Sequence, residues 1–191
     1  MERINALLFA LINASASPSF VVLSFARAAA VGGVYAVAIV PVGLWLIGST
    51  RQRGAVVATL IGVAIAMTVN LLITSLWFHP RPFMVGVGNT FLSHVPETSF
   101  PSDHVTLVVS LGLGLIATRS SVLGGILVTV AGLIIGWARV YLGVHWPCDV
   151  LGSIAVAVIG AGFAKLVGVE LSARLVLMWD GFAHTRRRRG A

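Results

Sequence analysis

The sequence predicts an all-α fold, a polytopic helical membrane bundle with about five transmembrane helices and an interfacial helix near each terminus. Composition supplies the first observation: 58% of the 191 residues are hydrophobic and only 10% are charged. Soluble domains have roughly 45–50% apolar and about 25% charged residues. The second observation is that the apolar residues form long uncharged stretches, and about 17–25 such residues suffice to cross a bilayer. A soluble domain and a disordered chain are therefore both excluded.

Five apolar stretches are separated by charged or turn-forming residues, and each is a candidate span. They run from Val21 to Ile47, from Gly54 to Phe78, from His104 to just before Arg119, from Ser120 to Ala138, and from Val150 to about Val169. The third and fifth are short, so we expect their ends to lie in the membrane interface. Residues 1–191 are interpreted as one domain, with the motifs that carry chemistry confined to 74–149.

The two ends of the chain are predicted to lie on the membrane surface. Met1 to Ser17 contains an apolar run that is too short to span and is followed by Pro18. We interpret it as an interfacial helix, with a signal peptide as the alternative. Glu170 to His184 mixes charged and apolar residues and predicts a second surface helix.

Basic residues outnumber acidic ones, and their distribution predicts the orientation of the bundle. There are 13 Lys and Arg against 6 Asp and Glu, which gives a formal net charge of +7. With five spans, nine of the basic residues fall on one side, among them the terminal run Arg186 to Arg189. The positive-inside bias makes that side cytoplasmic and turns the long connection from His79 to Asp103 outward. We expect the arginine tail to contact anionic membrane lipids and not nucleic acid.

His79, Pro80, Arg81 and Pro82 form the first of three polar clusters. Two prolines prevent the helix from continuing and keep the backbone around Arg81 extended, so a stiff element holds the guanidinium. The alternative is an arginine that anchors a helix end to lipid headgroups.

The second cluster, Ser99 to His104, includes Pro101, which favours a helix start. The free N–H groups of Ser102, Asp103 and His104 would then lie at a helix N-terminus, where the helix dipole attracts anions. The alternative is an ordinary capping sequence with a histidine at the interface.

The third cluster contains Arg139, His145 and Asp149 around Pro147. Pro147 predicts another helix start, which brings the Asp149 carboxylate within reach of the His145 ring. A carboxylate bonded to one ring nitrogen fixes the tautomer and leaves the other nitrogen as a nucleophile. A short connection does not need these three groups, which weakens its interpretation as a plain loop.

Together the clusters supply two arginines for a tetrahedral anion, a helix N-terminus, and two histidines that can divide nucleophile and acid roles. These groups suit phosphoryl transfer, since arginine binds phosphate through paired hydrogen bonds and stabilises its charge. Cationic side chains take the place of a metal, so we expect neither a metal nor another cofactor. The single cysteine, Cys148, matches no metal-ligand spacing. His94 and Glu97 are interpreted as parts of a solvated loop, with substrate contact as the alternative.

In order and spacing, these clusters resemble the signature of the type 2 phosphatidic acid phosphatase superfamily over roughly residues 54 to 169. That signature reads Lys, six residues, Arg-Pro; then Pro-Ser-Gly-His; then Ser-Arg, five residues, His, three residues, Asp. The matching residues are Arg81 and Pro82; Pro101, Ser102, Asp103 and His104; and Arg139, His145 and Asp149.

Three positions depart from the signature. Thr74 stands in place of the lysine, Asp103 in place of the glycine, and Ala138 in place of the serine before the arginine. The variants His-Pro-Arg-Pro-Phe and Phe-Pro-Ser-Asp-His are similar to the bacitracin-resistance branch of undecaprenyl-pyrophosphate phosphatases. In that branch His79 is expected to supply part of the charge of the missing lysine.

The resemblance implies a role for each matched residue. His145 would attack the terminal phosphorus and form a phosphohistidine, while Asp149 holds its ring. His104 would protonate the leaving oxygen and then activate water. The implied substrate-binding residues are Arg81, Pro82, Ser102, Asp103, Arg139 and His79.

The function implied is hydrolysis of undecaprenyl pyrophosphate to the monophosphate at the outer face of a bacterial inner membrane, which recycles the lipid carrier of cell-wall synthesis. The same chemistry on phosphatidic acid, phosphatidylglycerol phosphate or lipid A is an alternative, as is transfer to another lipid instead of water. A transporter or phosphate-binding protein without turnover is the alternative from another class. For a transporter, polar residues or interrupted helices are expected within the spans.

Overall fold

The computed structural model describes residues 2–168, 174 and 176–178, and the regular structure in this part of the chain is helical. The helices are α1 (Glu2–Ile12), α2 (Phe20–Ala36), α3 (Ile39–Ile47), α4 (Thr50–Leu76), α5 (Asp103–Ala117), α6 (Val122–Tyr141) and α7 (Pro147–Val167). A short 3-10 helix, Pro82–Val85, lies between α4 and α5. The predicted surface helix from Glu170 to His184 and the Arg186–Arg189 tail lie outside the described residues, apart from 174 and 176–178, which are helical. The predicted all-α fold is confirmed.

The first predicted span is two helices, α2 and α3, because the chain turns at Val37. Pro41 has no N–H to donate to the Val37 carbonyl, as a continuous helix would require. That carbonyl accepts the Val40 N–H at 3.3 Å instead, and the Ala38 N–H bonds three residues back, to Tyr35 at 3.2 Å. The first predicted span is therefore confirmed as one candidate span, Phe20–Ile47, built of two helices joined by a proline-dependent turn.

α4 begins four residues before its predicted start at Gly54, because its first turn is capped. The Ser49 hydroxyl accepts the Gln52 N–H at 3.3 Å, and the Gln52 side chain accepts the Ser49 N–H at 2.9 Å. This reciprocal capping box satisfies two backbone donors. It allows the polar stretch with Arg51 and Arg53 to join the helix.

Within the described residues, four segments are long and apolar enough to cross a bilayer: Phe20–Ile47, Thr50–Leu76, Val122–Tyr141 and Pro147–Val167. α5, the third predicted span, has 15 residues, which at about 1.5 Å per residue is shorter than the roughly 30 Å hydrocarbon core. α5 lies against α4, α6 and α7, and nine of its residues are buried, so protein and not lipid surrounds most of it. Of the five predicted spans, four are long enough to cross the bilayer, and the third, which was predicted to be short, is this enclosed central helix.

Small residues bring the helices close together. A Cβ atom at Gly160 of α7 would lie 2.5 Å from the Gly62 carbonyl oxygen of α4 and 2.8 Å from Ala66 Cβ. A Cβ atom at Gly125 of α6 would lie 2.7 Å from the Gly112 carbonyl oxygen of α5. Glycine allows such close approach of two backbones in a membrane bundle. These crossings set the spacing of the helices whose ends carry the polar clusters.

α1 confirms the predicted N-terminal helix and packs on the loop before α7. Phe9 is buried, and its ring centroid lies 5.1 Å from that of Trp146. The opposite face of α1 exposes Leu7 and Leu11, as expected of a helix beside lipid. The N-terminal helix is therefore part of the packed structure as well as a candidate membrane-surface element.

Replacing Gly160 by alanine should destabilise the bundle, whereas the same change at Gly162 should not. Both glycines lie in α7, but a Cβ atom at Gly162 meets no atom within 4 Å. Alanine favours a helix over glycine by about 1 kcal/mol, so Gly162→Ala should keep or raise stability. At Gly160, overpacking should cost about 1–3 kcal/mol. Thermal unfolding of both variants in one detergent checks this, and equal midpoints would contradict the close crossing of α4 and α7.

Candidate active site

Asp149 and His145 meet because α7 begins between them. Pro147 occupies the first position of α7, as predicted, and the Asp149 carboxylate folds back to accept the Trp146 N–H at 2.8 Å. The same oxygen, Oδ2, lies 3.1 Å from Nδ1 of His145. Both side chains are buried. The carboxylate therefore caps the helix and orients the imidazole.

Arg81 lies on the other side of the same imidazole, just before Pro82 begins the 3-10 helix. Its Nη1 donates to the Val144 carbonyl oxygen and lies 3.0 Å from His145 Nε2. Because a guanidinium only donates, Nε2 carries a lone pair and the ring proton is on Nδ1, which donates it to Asp149. Arg81 and Asp149 thus select one tautomer, with Nε2 unprotonated.

The His145 ring is neutral in this environment. Burial lowers its pKa from 6.5 to about 3; the hydrogen bond to Asp149 acts in the opposite direction, while the charges of Arg139 and Arg81 add to the lowering. A neutral imidazole with a lone pair on Nε2 can act as a nucleophile near pH 7.

Arg139, in the last turn of α6, is the second buried arginine of the cluster. Its Nη2 lies 2.8 Å from His94 Nε2, while Nδ1 of His94 lies 3.1 Å from the Val95 carbonyl oxygen. The His94 ring is thus protonated on Nδ1 and accepts from the arginine. Burial lowers the His94 pKa, and the charges of Arg81 and Arg139 lower it too, against the hydrogen bond to Val95 and the charge of Glu97.

The interpretation of His94 and Glu97 as a solvated loop is wrong for His94 and incomplete for Glu97. His94 packs edge-on to His145, with ring centroids 6.4 Å apart. The Glu97 side chain is 53% exposed, yet its Oε1 accepts from Arg81 Nη2 at 3.2 Å. The loop between α4 and α5 therefore brings one side chain to each of the two arginines.

Ser102 joins the start of α5 to α7. Its N–H donates to Ser153 Oγ at 2.8 Å, and that hydroxyl lies 2.8 Å from the Asp149 carbonyl oxygen, to which it can donate. The Ser102 Oγ atom is itself buried, with no hydrogen-bond partner among the described residues. The two helix starts are thus held together at the cluster.

His104 is half-buried in the first turn of α5. Its electrostatic neighbours are Arg139, His94 and Arg81. The second predicted histidine therefore lies in the field of the same two arginines as His145.

Asp103, in the glycine position of the signature, is held by a residue that sequence reasoning missed. The Asn70 amide of α4 donates to the Asp103 carboxylate, and its carbonyl oxygen accepts from the Thr106 hydroxyl at 2.8 Å. Asn70 is buried in an otherwise apolar part of α4. Its isolation within a span was the signal that could have identified it.

A cavity of about 460 Å³ lies beside the cluster, between α4 and the loop that leads to α5. Met67 and Leu71 form its apolar side. Thr74, which replaces the signature lysine, also lines it and adds no charge. The remaining lining residues are polar or at a helix start: Thr68, Asn70, Arg81, Glu97, Thr98, Pro101 and Asp103. The cavity can therefore accept a molecule with a polar head and an apolar tail.

His79 lines a second cavity, of about 240 Å³, together with Trp146. Its Nδ1 lies 2.9 Å from Ser99 Oγ and 3.6 Å from Asp149 Oδ1. The histidine thus faces the carboxylate that orients His145. Direct contact of His79 with a substrate, in place of the missing lysine, stays a prediction.

Two asparagines of the N-terminal region hold loops of the site, and sequence reasoning missed both. Asn5 accepts the Cys148 N–H at 3.1 Å in the first turn of α7. Asn13 donates to the carbonyl oxygens of Asn89 and Tyr141, at 2.9 and 3.1 Å. Their amides stand in an apolar run, which was the available signal.

Three buried donors of the cluster have no hydrogen-bond partner among the described residues: Arg81 Nε, Arg139 Nε and Ser102 Oγ. Buried polar groups are normally paired, and two guanidinium groups with a hydroxyl match the oxygens of a phosphate group. The arrangement can therefore bind a tetrahedral anion beside Nε2 of His145. In the described part of the chain, no group of three or more His, Cys, Asp or Glu side chains is placed to hold a metal ion.

Residues 55–171, which include all three polar clusters, match the sequence profile of the PAP2 superfamily. The chain belongs to the PAP2 superfamily. Its departure at Ala138 has a structural reason within this PAP2 chain, because Ala138 packs with Ala26 and Ala30 of α2 in an apolar cluster. The resemblance found in the three motifs is thereby confirmed.

Relatives of this PAP2 chain occur in distant bacteria. YbjG of Escherichia coli strain K12 is 35% identical over 175 residues, covering 92% of this chain and 88% of YbjG. Undecaprenyl-diphosphatase BcrC of Bacillus subtilis strain 168 is 38% identical over 127 residues, covering 66% of this chain and 64% of BcrC. The crystal structure of Aquifex aeolicus LpxE has the same fold, with a TM-score of 0.71 at 20% identity, over 84% of this chain and 94% of the LpxE chain.

Acidification from pH 7 to pH 5 should destabilise this PAP2 protein, and His145→Asn should remove part of that loss. The His145 pKa is 6.5 in an unfolded chain and about 3 in the fold. The unfolded chain therefore takes up a proton below pH 6.5 that the folded protein does not, so stability falls as the pH drops from 6.5 towards 3. One such proton is worth about 2 kcal/mol between pH 7 and pH 5.

Unfolding free energies of both proteins at the two pH values test this. The comparison concerns the pH-dependent loss and not the absolute stability, because asparagine also changes the hydrogen bond to Asp149. A loss as large in His145→Asn as in the wild type would mean that the folded imidazole itself takes up the proton.

Proposed function

We propose that this PAP2 protein is a membrane phosphatase that hydrolyses undecaprenyl pyrophosphate to undecaprenyl phosphate and inorganic phosphate, and so recycles the lipid carrier of cell-wall synthesis. The observation that carries the proposal is the unprotonated Nε2 of His145, 3.0 Å from Arg81 and beside unpaired buried donors. The substrate class is supported by the relative named undecaprenyl-diphosphatase BcrC.

The first half of the reaction transfers the terminal phosphoryl group to the protein. The Nη1–H of Arg81 turns from Nε2 of His145 to a phosphate oxygen, which frees the Nε2 lone pair. Nε2 then attacks the terminal phosphorus, the bond from that phosphorus to the bridging oxygen breaks, and the lipid monophosphate leaves. The negative charge of the bound substrate offsets the charges of Arg139 and Arg81 and allows His104 to carry a proton, which it donates to the leaving oxygen. Asp149 continues to accept the hydrogen bond from Nδ1–H of His145, and its charge stabilises the positive charge that develops on the ring.

The second half restores the histidine. Neutral His104 accepts a proton from a water molecule as the water oxygen attacks the phosphohistidine. The P–N bond breaks, its electron pair returns to Nε2 of His145, and inorganic phosphate leaves. One water is consumed for each anhydride bond that is cleaved, and both histidines recover their starting proton states.

Arg81 and Arg139 stabilise the negative charge of the non-bridging oxygens in both halves. Both residues are 3% exposed, and electrostatic stabilisation is larger where water is excluded. The Ser102 hydroxyl adds a further donor. These groups fill the role that metal ions have in many phosphoryl-transfer sites.

A lipid substrate is supported by the surroundings of Arg81. Met67 and Leu71 of α4 line the cavity, and Leu72 and Leu76 on the same helix are exposed. A polyprenyl chain can therefore lie along α4 while its pyrophosphate reaches the arginine. A soluble phosphate ester would gain nothing from this apolar wall.

We also propose that the site faces the exterior. Arg81 lies where α4 ends and α5 begins, whereas Arg51, Arg53 and Arg119 lie near the opposite ends of these helices. The positive-inside bias assigns the latter end, with the arginine tail, to the cytoplasm.

Purified protein in detergent with a chelator should release phosphate from undecaprenyl pyrophosphate faster than from phosphatidic acid. His145→Ala should lower both rates by about 10³-fold or more, because the nucleophile is lost. Gly162→Ala is the matched control, since this site on α7 is remote from the cluster and should retain wild-type rates. Full activity of folded His145→Ala would remove the phosphohistidine mechanism, and equal rates on the two lipids would remove the substrate preference.

Cysteine labelling tests the orientation. In a Cys148→Ala background, a cysteine in place of Val95, which is exposed in the loop before α5, should react in intact cells with a membrane-impermeant maleimide. A cysteine in place of Arg119 should react only after permeabilisation. The reverse pattern would place the site in the cytoplasm.

A further inference from the structure

Glu97 occupies part of the guanidinium surface that a phosphate would need. Its Oε1 accepts from Arg81 Nη2 at 3.2 Å, and the Thr98 carbonyl oxygen accepts from the same nitrogen at 3.1 Å. The Nη1 nitrogen faces Val144 and His145. The Nε atom of Arg81 has no partner among the described residues.

A phosphate binds an arginine best through two parallel hydrogen bonds. Nε and Nη2 lie on one edge of the guanidinium, so a phosphate bound in this way to Arg81 needs both. Nη2 is already bonded to Glu97, and a carboxylate matches the same donor geometry as a phosphate. Glu97 and the Thr98 carbonyl oxygen together occupy both N–H groups of Nη2. Of these two acceptors only the Glu97 side chain can turn away, so a phosphate that bonds to Nη2 must displace Glu97.

We propose that Glu97 is a specificity-determining residue, a competitor that an incoming phosphate must displace from Arg81. This inference rests on the proposed function and deepens it. A phosphate group with two negative charges competes with the carboxylate for Arg81 more strongly than a phosphodiester, which has a single charge. After hydrolysis the returning carboxylate lowers the affinity for inorganic phosphate and promotes its release.

The charge balance of the larger cavity supports this role. Among its lining residues, Glu97 and Asp103 are acidic and Arg81 is the single cation. Thr74 contributes no charge where the superfamily signature has lysine. Burial lowers the pKa of Arg81, and the charge of Glu97 has the opposite effect. The carboxylate thus stabilises the charged guanidinium until a phosphate replaces it.

The difference in exposure allows the exchange. The Glu97 side chain is 53% exposed and that of Arg81 is 4% exposed, so the carboxylate can turn to water while the guanidinium stays. The carbonyl oxygens of Val144 and Thr98 hold Arg81 in either case. Substitution of Glu97 should therefore leave both the fold and the position of Arg81 intact.

The test measures inhibition of undecaprenyl pyrophosphate hydrolysis by inorganic phosphate in the purified protein. Glu97→Gln keeps the size of the side chain but removes its charge, and should lower the inhibition constant about two- to fivefold. Glu97→Asp keeps the charge but is one methylene shorter, so its carboxylate withdraws from Arg81 and the constant should fall as well. Val95→Thr, an exposed position of the same loop, is the control and should match the wild type.

An unchanged or higher inhibition constant in Glu97→Gln would overturn the inference and leave Glu97 as a residue that only orients Arg81. A wild-type constant in Glu97→Asp would also overturn it, because the effect would then arise from charge without contact.

Binding of inorganic phosphate, measured by thermal shift without lipid, separates this inference from the proposed function. If no lipid phosphate is hydrolysed but Glu97→Gln binds phosphate more tightly than the wild type, the proposed function fails and the competition stands.

Discussion

The buried carboxylate of Asp149 is the group on which the rest of the site depends. A charge without exposed surface must be paired, since an unpaired one costs several kcal/mol in rough terms. Its oxygens face the Trp146 N–H, the His145 ring and the His79 ring. These contacts unite the start of α7, the loop before it and the end of the α4 region. The contacts that pair the buried Asp149 charge therefore also orient the imidazole of His145.

The fold can hold this charge because a short helix lies inside a ring of longer ones. α5 is mostly enclosed by α4, α6 and α7, so its polar N-terminus meets protein groups such as Ser153 and Asn70 instead of lipid. Close contacts at Gly62 and Gly160 allow α4 and α7 to approach each other. The close approach at these glycines therefore also sets the distance between the ends of α4 and α7 near which the three clusters meet.

Much of the fold and most of the site could be predicted from the sequence, because prolines and scarce charges mark helix ends directly. Pro147 predicted the start of α7, while the effect of Pro41 was missed because a membrane helix often continues through a proline. The three clusters were recognised from local spacing. Contacts such as Glu97 with Arg81, sixteen residues apart, depend on the path of an irregular loop, which no periodic pattern encodes. The short length of α5 was predicted, whereas its enclosure by neighbouring helices was not, because burial between helices is a tertiary property.

The asparagines of the N-terminal region also impose an order on assembly. Asn13 bonds to Tyr141 across 128 positions, and Asn5 bonds to Cys148 across 143. These amides are synthesised well before Tyr141 and Cys148. At about 5–20 residues per second, several seconds pass before the N-terminal region can meet these two partners. Completion of the candidate site therefore coincides with the insertion of α7, and a chain that stops before that helix cannot bring the three clusters together.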